Sequence, residues 1–393
     1  MAGKRHALRW QGRLRCWQGT VPDTGGTGYM EGKGSMQGRR LNFAAGPVMM
    51  HVDTCCIGGE QVPYFRTQVF SMVMKRNEEL LTGLAGAGEG SRAVFLTGSG
   101  TAGMEMAVVN SFCNTDKVLV VNGGSFGKRF GEICRIHGIP YEYVMLAPGE
   151  ALKGNHLEKY SGKGFTGMLV NMHETSTGVL YDMSLVGDFC KNNGLFLVVD
   201  AISAFMADTV EMEKWGIDVL VLSSQKALAL PPGMSFLVLG RRAVERAGRT
   251  ETGSLYFQVS QYLEDGRRGQ TPYTPAVGIL LQLADRLEKV SAAGITSETG
   301  RVHNLAVYFR EQLKDLPFRM FAQSPSSAVT ALSPEDGRSA HYYVDRLDRE
   351  YNIWVCPNGG ALADKVFRVG HMGDVHKEDY DILVSALHRI ACG

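Results

Sequence analysis

The chain has 393 residues, of which 41 are Lys or Arg and 40 are Asp or Glu, so that its formal net charge is +1, and 44% of the residues are apolar. This composition excludes a disordered or collagen-like chain and predicts a globular protein of roughly two to three domain-sized units. The balanced charge gives no reason to expect a nucleic acid partner. Because the sequence has no apolar run of about 18 residues and no secretory signal, we expect no membrane span and a cytoplasmic location. The eight cysteines include no CxxC pair, which indicates reduced thiols.

Residues 1–40 differ in composition from the rest of the chain. They contain eight basic and two acidic residues, a glycine-rich stretch and no apolar period, so we expect a disordered tail. The segment is rich in Arg and poor in acids, as organelle targeting peptides are, but Ser35 is its only serine where such peptides have many. We therefore favour an inert or wrongly assigned start, with Met36 as an alternative initiator.

From residue 41 onward, short apolar runs alternate with helical patterns. The runs end in Gly, Asp, Asn or Ser and predict strands buried on both faces at 93–97, 117–122, 167–172, 195–200, 218–223 and 234–239. Helical patterns occupy 102–113, 126–138 and 183–193. This alternation predicts an α/β fold with a mostly parallel sheet flanked by helices.

The pattern changes after about residue 285. A long amphipathic helix is predicted at 301–316, followed by short strands near 328–332, 353–357 and 366–370 and a closing helix. We therefore expect a large domain over 41–285, whose first residues reach the small domain, and a smaller C-terminal α+β domain over 286–393.

The first candidate site is the turn at 98–103, Gly-Ser-Gly-Thr-Ala-Gly, which follows a predicted strand and opens a predicted helix. It matches the GxGxxG dinucleotide fingerprint. A nicotinamide site also needs an acidic residue at the end of the next strand, where this sequence has Asn122. The backbone N–H groups of this turn and the dipole of the helix still suit a phosphate group. We therefore infer a phosphate site and do not yet assign the cofactor that carries the phosphate.

Two further strand ends carry charged residues. Asp200 ends the apolar run 195–199, and Lys226 follows the strand at 218–223 as the only charge in a small, apolar, Pro-terminated stretch. Desolvation there would lower the pKa of the amine toward that of a nucleophile. Alone, Asp200 could cap a turn and Lys226 could start an exposed loop. Together with a phosphate turn, a carboxylate and a desolvated lysine are what pyridoxal phosphate requires.

Arg368 interrupts the predicted apolar strand 366–370. Its guanidinium could bind a substrate carboxylate through two hydrogen bonds or form a structural salt bridge. No metal site is expected. His371 and His376 lack a metal-ligand spacing, and His173-Glu174 lacks the second histidine of an HExxH helix.

These motifs, in their order and spacing, resemble the class V aminotransferases of the fold-type I pyridoxal phosphate enzymes. The resemblance covers residues 41–393 and rests on the segments 98–101, 173–178, 200–203, 224–233 and 367–373. Among the branches of that family, the alanine-glyoxylate or serine-pyruvate aminotransferases and the 2-aminoethylphosphonate-pyruvate aminotransferases are the most similar.

The resemblance implies a role for individual residues. Lys226 would bond covalently to pyridoxal 5′-phosphate and shuttle the proton at the substrate Cα, and Asp200 would pair with the pyridine nitrogen. Phe126 would stack on the ring, although it could also be ordinary core, and Thr175 would bond near the phenolic oxygen. The other expected cofactor contacts are Ser99, Gly100, Thr101, Ile202 and Gln225. His173 receives no role, because the family has its histidine one residue earlier.

The resemblance also implies substrate contacts and a homodimer with shared active sites. Arg368 would bind the substrate α-carboxylate, and Ala45, in the segment 42–47, would line a pocket for a small substrate. The partner chain would complete the phosphate site through Thr271 and Thr274. Arg66 is a second cation that could sense a phosphonate or pair structurally.

The resulting hypothesis is an aminotransferase that moves an amino group from a small amino acid to a 2-oxo acid such as pyruvate or glyoxylate, with 2-aminoethylphosphonate-pyruvate transamination as the alternative. A sulfur-transferring lyase of the same fold would need a cysteine on a mobile loop, whereas Cys356 lies in the predicted strand 353–357. A nicotinamide oxidoreductase explains neither Lys226 nor Asp200. A non-catalytic binding protein would not need Lys226.

Overall fold

The computed structural model of the protein describes residues 40–250 and 252–393, so that nearly all of the expected tail lies outside it. The strands are β1 (Leu41–Phe43), β2 (Arg92–Thr97), β3 (Val118–Asn122), β4 (Tyr141–Met145), β5 (Gly167–Asn171), β6 (His173–Glu174), β7 (Val179–Leu180), β8 (Phe196–Asp200), β9 (Val219–Ser223), β10 (Met234–Leu239), β11 (Phe318–Met320), β12 (Val329–Pro334), β13 (Ile353–Pro357) and β14 (Phe367–Gly370). The helices are α1 (Val52–Gly58), α2 (Gln68–Leu84), α3 (Gly100–Ser111), α4 (Ser125–Ile136), α5 (Gly154–Glu158), α6 (Met183–Asn192), α7 (Arg241–Ala247), α8 (Val259–Arg267), α9 (Val277–Ala293), α10 (Ile295–Gln312), α11 (Ala340–Tyr351) and α12 (Lys377–Cys392).

The larger sheet has seven strands in the order β2-β10-β9-β8-β5-β3-β4. All neighbours are parallel except β10, which runs antiparallel to both β2 and β9. The carboxyl ends of β2, β3, β5, β8 and β9 therefore meet at one edge, where open α/β sheets bind their ligands. The predicted α/β class is confirmed, and the six strands predicted in this part form within one residue of the expected bounds.

Both faces of the larger sheet are buried. In β3, Leu119 and Val121 belong to one apolar cluster, while Val118 and Val120 belong to a second cluster on the other face. Near-continuous apolar runs are typical of such strands because helices cover both sides of a parallel sheet. The burial explains why these strands could be recognised from sequence without an alternating pattern.

The smaller sheet has the order β1-β13-β14-β12-β11. Its first strand comes from the start of the described chain, since Leu41–Phe43 pair in parallel with β13. The predicted helix 301–316 is corrected: α10 begins at Ile295, directly after Gly294 with φ +84°, and ends at Gln312. The first turn of α10 is polar, so it lacks the apolar period from which a helix is predicted. The expected boundary at residue 285 falls within α9, and the division into two domains stays a prediction.

Among the helices of the described chain, none is long and apolar enough to cross a lipid bilayer. The described cysteines are all free thiols, while Cys16 lies outside the described residues.

Candidate functional site

The turn after β2 has the geometry that its sequence predicts for an anion site. Ser99 is the N-cap of α3, and its hydroxyl accepts a hydrogen bond from the Ala102 N–H at 3.4 Å. Gly100 packs so closely against Ile202 that a Cβ at this position would lie 2.6 Å from Ile202 Cδ1. The first N–H groups of a helix have no partner within the helix and carry partial positive charge. Thr101, in the first turn, is exposed.

A cation lies beside this turn, and sequence reasoning missed it. Arg129 Nη1 donates to Thr101 Oγ1 at 3.1 Å, and its guanidinium lies 4.8 Å from the centroid of the Phe126 ring. Arg129 and Phe126 are three residues apart on α4, so they share a helix face. That spacing is the sequence signal that could have identified Arg129. Phe126 itself is only half-buried, which does not fit the ordinary-core alternative.

Asp200 ends β8 as a buried carboxylate with one strong hydrogen bond. Its Oδ1 accepts from the Ile202 N–H at 2.8 Å, and its relative exposure is 6%. Burial raises the pKa of this carboxyl to about 6. Within the described chain no cationic side chain forms a salt bridge with Asp200. A protonated ring nitrogen would therefore find an unpaired carboxylate here.

Lys226 lies across the same edge of the sheet. Its Nζ donates to the main-chain oxygen of Ala45 at 2.5 Å, and burial lowers the pKa of the amine to about 8. Gly46 allows this approach, because it has φ +125° and a Cβ there would lie 2.6 Å from Lys226 Cδ. The adjacent Gln225 is held by Ser223, whose hydroxyl donates to Gln225 Oε1 at 2.6 Å.

The start of α4 is held by a buried carboxylate to which the sequence reasoning gave no role. Glu174 is 0% exposed and accepts from the N–H groups of Phe126 at 3.2 Å and Gly127 at 3.0 Å. It also accepts from Asn171 Nδ2 and from Ser176 Oγ. Because the N-cap of α4 is Gly124, which has no side chain, Glu174 caps the helix from another segment. The sequence carries no signal for this role, because the helix that Glu174 caps begins at Ser125, far from Glu174 in the chain.

Arg368 has no salt bridge within the described residues. Its Nη1 donates to Thr175 O at 3.1 Å and its Nη2 to Pro357 O at 2.6 Å, while Nε is buried without a hydrogen-bond partner in the described chain. Burial lowers the pKa of the guanidinium from its ordinary value. The salt-bridge alternative is therefore wrong for the described chain, and the side chain has unused capacity to bind a carboxylate. Ala45 lies in the same region, with its N–H donating to Cys356 Sγ at 3.1 Å.

Thr271 and Thr274 make no hydrogen bond to the residues above within the described chain. Thr271 Oγ1 donates to Tyr273 O at 2.7 Å, and Thr274 is exposed. Arg66 lies next to this segment, where its Nη2 donates to Pro272 O at 3.4 Å. Within the described residues, no hydrogen bond joins the two threonines to the other predicted cofactor residues, and their role in a partner's site stays a prediction.

The other groups described above have the chemistry that one cofactor and its substrate would need. They are a helix N-terminus with a neighbouring arginine, a buried unpaired carboxylate, an amine with a lowered pKa and an arginine without a carboxylate partner. This set fits pyridoxal phosphate, whose phosphate, pyridine nitrogen and aldehyde need an anion site, a carboxylate and an amine respectively. Arg368 is then free for an anionic substrate.

Comparison with known proteins gives consistent matches. The family model described as "Aminotransferase class-V" matches residues 64–383. The L-aspartate--glyoxylate aminotransferase of Paracoccus denitrificans is 30% identical over 72% of this chain and 74% of its own. A protein named soluble hydrogenase, small subunit, from Synechococcus is 29% identical over 76% of this chain and 80% of its own. The crystal structure of an alanine--glyoxylate aminotransferase from Nostoc superimposes with a TM-score of 0.84 at 25% identity, covering 89% of this chain and 95% of that one. The names differ, so similarity alone assigns no substrate.

Proposed function

Because this chain belongs to the class V aminotransferase family, we propose that it binds pyridoxal 5′-phosphate and transfers an amino group from a small amino acid of the alanine or serine type to a 2-oxo acid such as pyruvate or glyoxylate. One observation carries the proposal. The edge of the sheet that binds ligands in this architecture holds both the Lys226 amine, with its pKa lowered to about 8, and the buried Asp200 carboxylate.

The residues that would hold the cofactor follow from the geometry and the family resemblance. Ser99, Gly100, Thr101 and Gln225 would bind the phosphate, with Arg129 supplying a positive charge beside Thr101. Phe126 would stack on the ring, and Asp200, fixed by the Ile202 N–H, would pair with the pyridine nitrogen. When bound, the cofactor withdraws electrons from the substrate Cα and stores the amino group between the two halves of the reaction.

Lys226 would move the proton. A general base is most effective when its pKa lies near the working pH, and burial brings this amine to about 8. Its hydrogen bond to Ala45 O holds Nζ in one position. A substrate amine that displaces Lys226 from the cofactor would leave a neutral amine there, able to accept the proton from Cα and return it.

The substrate class follows from Arg368 and Ala45. A guanidinium whose partners are two main-chain carbonyls can still bind an α-carboxylate. The small side chain of Ala45 favours a small substrate. Two of the matched proteins are named as glyoxylate aminotransferases, which supports glyoxylate as an acceptor to test.

The proposal includes a homodimer in which Thr271 and Thr274 of one chain complete the phosphate site of the other. It also includes a cytoplasmic location. The exposed apolar side chains of Val62 and Tyr64, which precede α2, and of Leu255, which precedes α8, support a contact between chains, since such groups favour burial.

The alternative donor is 2-aminoethylphosphonate, which would place a phosphonate near a second cation such as Arg66. A sulfur-transferring lyase receives no support, because Cys356 lies in β13 and its thiol accepts the Ala45 N–H.

The experiment is a panel of donors and acceptors assayed on the purified protein loaded with pyridoxal 5′-phosphate. L-alanine, L-serine, L-aspartate and 2-aminoethylphosphonate are each paired with pyruvate or glyoxylate, omitting the pair in which pyruvate is both substrate and product, and both products are quantified. We expect turnover with alanine or serine and none with Lys226→Ala. Turnover with 2-aminoethylphosphonate alone would select the alternative, and no transamination by the loaded protein with any pair would contradict the proposal.

A further inference from the structure

A buried histidine lies next to the predicted cofactor residues and has no part in the proposed function. His173, in β6, is 2% exposed, and its Nδ1 lies 2.9 Å from Ser203 Oγ. Ser203 Oγ in turn lies 2.7 Å from Thr175 Oγ1. The three side chains form a buried hydrogen-bonded chain that ends at the threonine expected beside the phenolic oxygen of the cofactor.

The imidazole of His173 is neutral at physiological pH. Burial lowers its pKa to about 3, the positive charges of Lys226, Arg368 and Arg310 act in the same direction, and only the backbone of Ser203 opposes them. A neutral imidazole carries one proton, on either Nδ1 or Nε2. The position of that proton determines which side chain is the donor in each hydrogen bond between His173, Ser203 and Thr175.

The surroundings of the two ring nitrogens differ. Nε2 is buried and has no hydrogen-bond partner within residues 40–250 and 252–393, whereas Nδ1 has the Ser203 oxygen. Buried N–H groups without an acceptor are rarer in proteins than acceptors without a donor. The proton therefore belongs on Nδ1, where Ser203 Oγ accepts it.

This tautomer orients the two hydroxyls that follow. When Nδ1–H donates to Ser203, the hydrogen of Ser203 is free to be donated to Thr175 Oγ1, and the hydrogen of Thr175 is directed elsewhere. The other tautomer would draw the hydrogen of Ser203 toward His173 and that of Thr175 toward Ser203. Consecutive hydrogen bonds of one direction also polarise one another, which strengthens the last donor.

We propose that His173 and Ser203 are positioning residues that fix the Thr175 hydroxyl as a hydrogen-bond donor to the phenolic oxygen of bound pyridoxal 5′-phosphate. The proposal rests on the proposed function, since the place of Thr175 beside that oxygen comes from the family resemblance. The main-chain oxygen of Thr175 also accepts a hydrogen bond from Arg368. Thr175 therefore connects the hydrogen bonds of His173 and Ser203 to the predicted binding site for the substrate carboxylate.

The first test uses the protein without cofactor. Protein labelled with ¹⁵N-histidine gives two-bond proton–nitrogen correlations that distinguish the tautomers, and the His173 signals are identified by their loss in His173→Leu. We expect the proton on Nδ1. A proton on Nε2 would overturn the proposal whether or not the cofactor binds.

The second test follows the visible absorption of the protein loaded with pyridoxal 5′-phosphate, without substrate, as a function of pH. A hydrogen-bond donor stabilises the negatively charged phenolic oxygen, so losing that donor raises the pH at which the proton leaves. We therefore expect the titration midpoint to rise by about 1 pH unit in Thr175→Val and by about half a unit in Ser203→Ala and His173→Leu. His173→Asn can still donate from the position of Nδ1 and should restore most of the original midpoint.

His371→Leu is the matched control. His371 is also fully buried and lies between two hydroxyls, those of Thr330 and Tyr380, but has no contact with Thr175. It should leave the midpoint unchanged. Unchanged midpoints in both Ser203→Ala and His173→Leu would overturn the proposal. A wild-type protein that binds no cofactor would instead contradict the proposed function, while the tautomer could still be read.

Discussion

The amine of Lys226 lies 2.5 Å from the main-chain oxygen of Ala45, a residue 181 positions earlier in the chain. This hydrogen bond joins the segment that follows β1, a strand of the smaller sheet, to the loop that follows β9 in the larger one. Gly46 makes the approach possible, since any larger residue would collide with the lysine side chain. The start of the described chain therefore determines where the predicted reactive amine is held.

The first prediction concerns the pH dependence of cofactor attachment. Burial lowers the pKa of Lys226 to about 8 from an ordinary value of 10.5, and only the neutral amine can attack the aldehyde. The rate at which the protein without cofactor takes up pyridoxal 5′-phosphate should therefore rise with pH and level off above about 8. Borohydride reduction followed by peptide mass spectrometry should place the label on Lys226. A rate that still rises steeply above pH 9, or a label on another lysine, would contradict this assignment.

The second prediction is that the Asp200 carboxylate lowers the stability of the protein without cofactor and strengthens the binding of the cofactor. Burial raises the folded-state pKa of Asp200 from 3.8 to about 6, so the ionised carboxylate destabilises the fold above pH 6 and has no such effect below about pH 4. Asp200→Asn should stabilise the protein without cofactor at pH 7.5 by up to about 3 kcal/mol, and this gain should disappear toward pH 4. The same variant should bind pyridoxal 5′-phosphate more weakly.

Asp218→Asn is the control for that experiment. Asp218 is also buried, burial also raises its pKa, and it directly precedes β9 at the opposite edge of the sheet from Asp200. Its substitution should leave cofactor affinity unchanged. If Asp200→Asn destabilises the protein without cofactor at pH 7.5, or binds the cofactor as tightly as wild type, the assigned role of Asp200 is wrong.

The third prediction concerns Glu174, which holds Phe126 in place through the start of α4. Glu174→Gln would turn an amide NH₂ toward groups that are themselves donors, and should cost about 2–3 kcal/mol of stability. If Glu174 acts through Phe126, Glu174→Gln should change the dissociation constant of the cofactor in the wild-type protein but hardly at all in a protein that already carries Phe126→Leu. Asp182→Ala, which removes the side-chain cap of α6, controls for a general loss of helix capping. Additive effects on cofactor affinity would show that Glu174 does not act through Phe126.

The fourth prediction separates the substrate role of Arg368 from a structural one. Arg368→Lys keeps a positive charge but cannot replace the hydrogen bonds of the guanidinium to Thr175 O and Pro357 O while also binding a carboxylate. We expect KM for L-alanine to rise about 10- to 100-fold with little change in Tm. The reaction of the loaded protein with an amine that carries no acidic group, such as ethylamine, should be affected far less. Equal losses for both amines, or an unfolded variant, would support a structural role.

Much of the larger sheet could be predicted from sequence because its strands are buried on both faces. The runs that end at Asp200 and Ser223 read as strands directly, and their ends identified the lysine and the carboxylate. The short strands β6 and β7 and the start of α10 could not be found this way. Each lacks a long apolar period, and β6 and β7 are two-residue strands that pair with each other in a separate two-stranded sheet.

The same contrast applies to the site. Lys226, Asp200 and Arg368 could be found because each is a charge in an apolar surrounding, which is costly without a purpose. Glu174 and Ser203 could not be assigned, because their significance lies in contacts between segments, and the only sequence signal for Arg129 is its spacing from Phe126. Glu174 binds N–H groups of α4, and Arg129 reaches Thr101 on another helix.

The proposed transamination requires pyridoxal 5′-phosphate bound at Lys226. Its most direct test is the visible absorption spectrum of the loaded protein before and after a single amino donor, followed by an acceptor. We expect L-alanine or L-serine to abolish the band of the lysine-bound cofactor, glyoxylate to restore it, and Lys226→Ala never to form it. A protein that forms no band with added cofactor, or one whose band no amino donor changes, would contradict the proposed function.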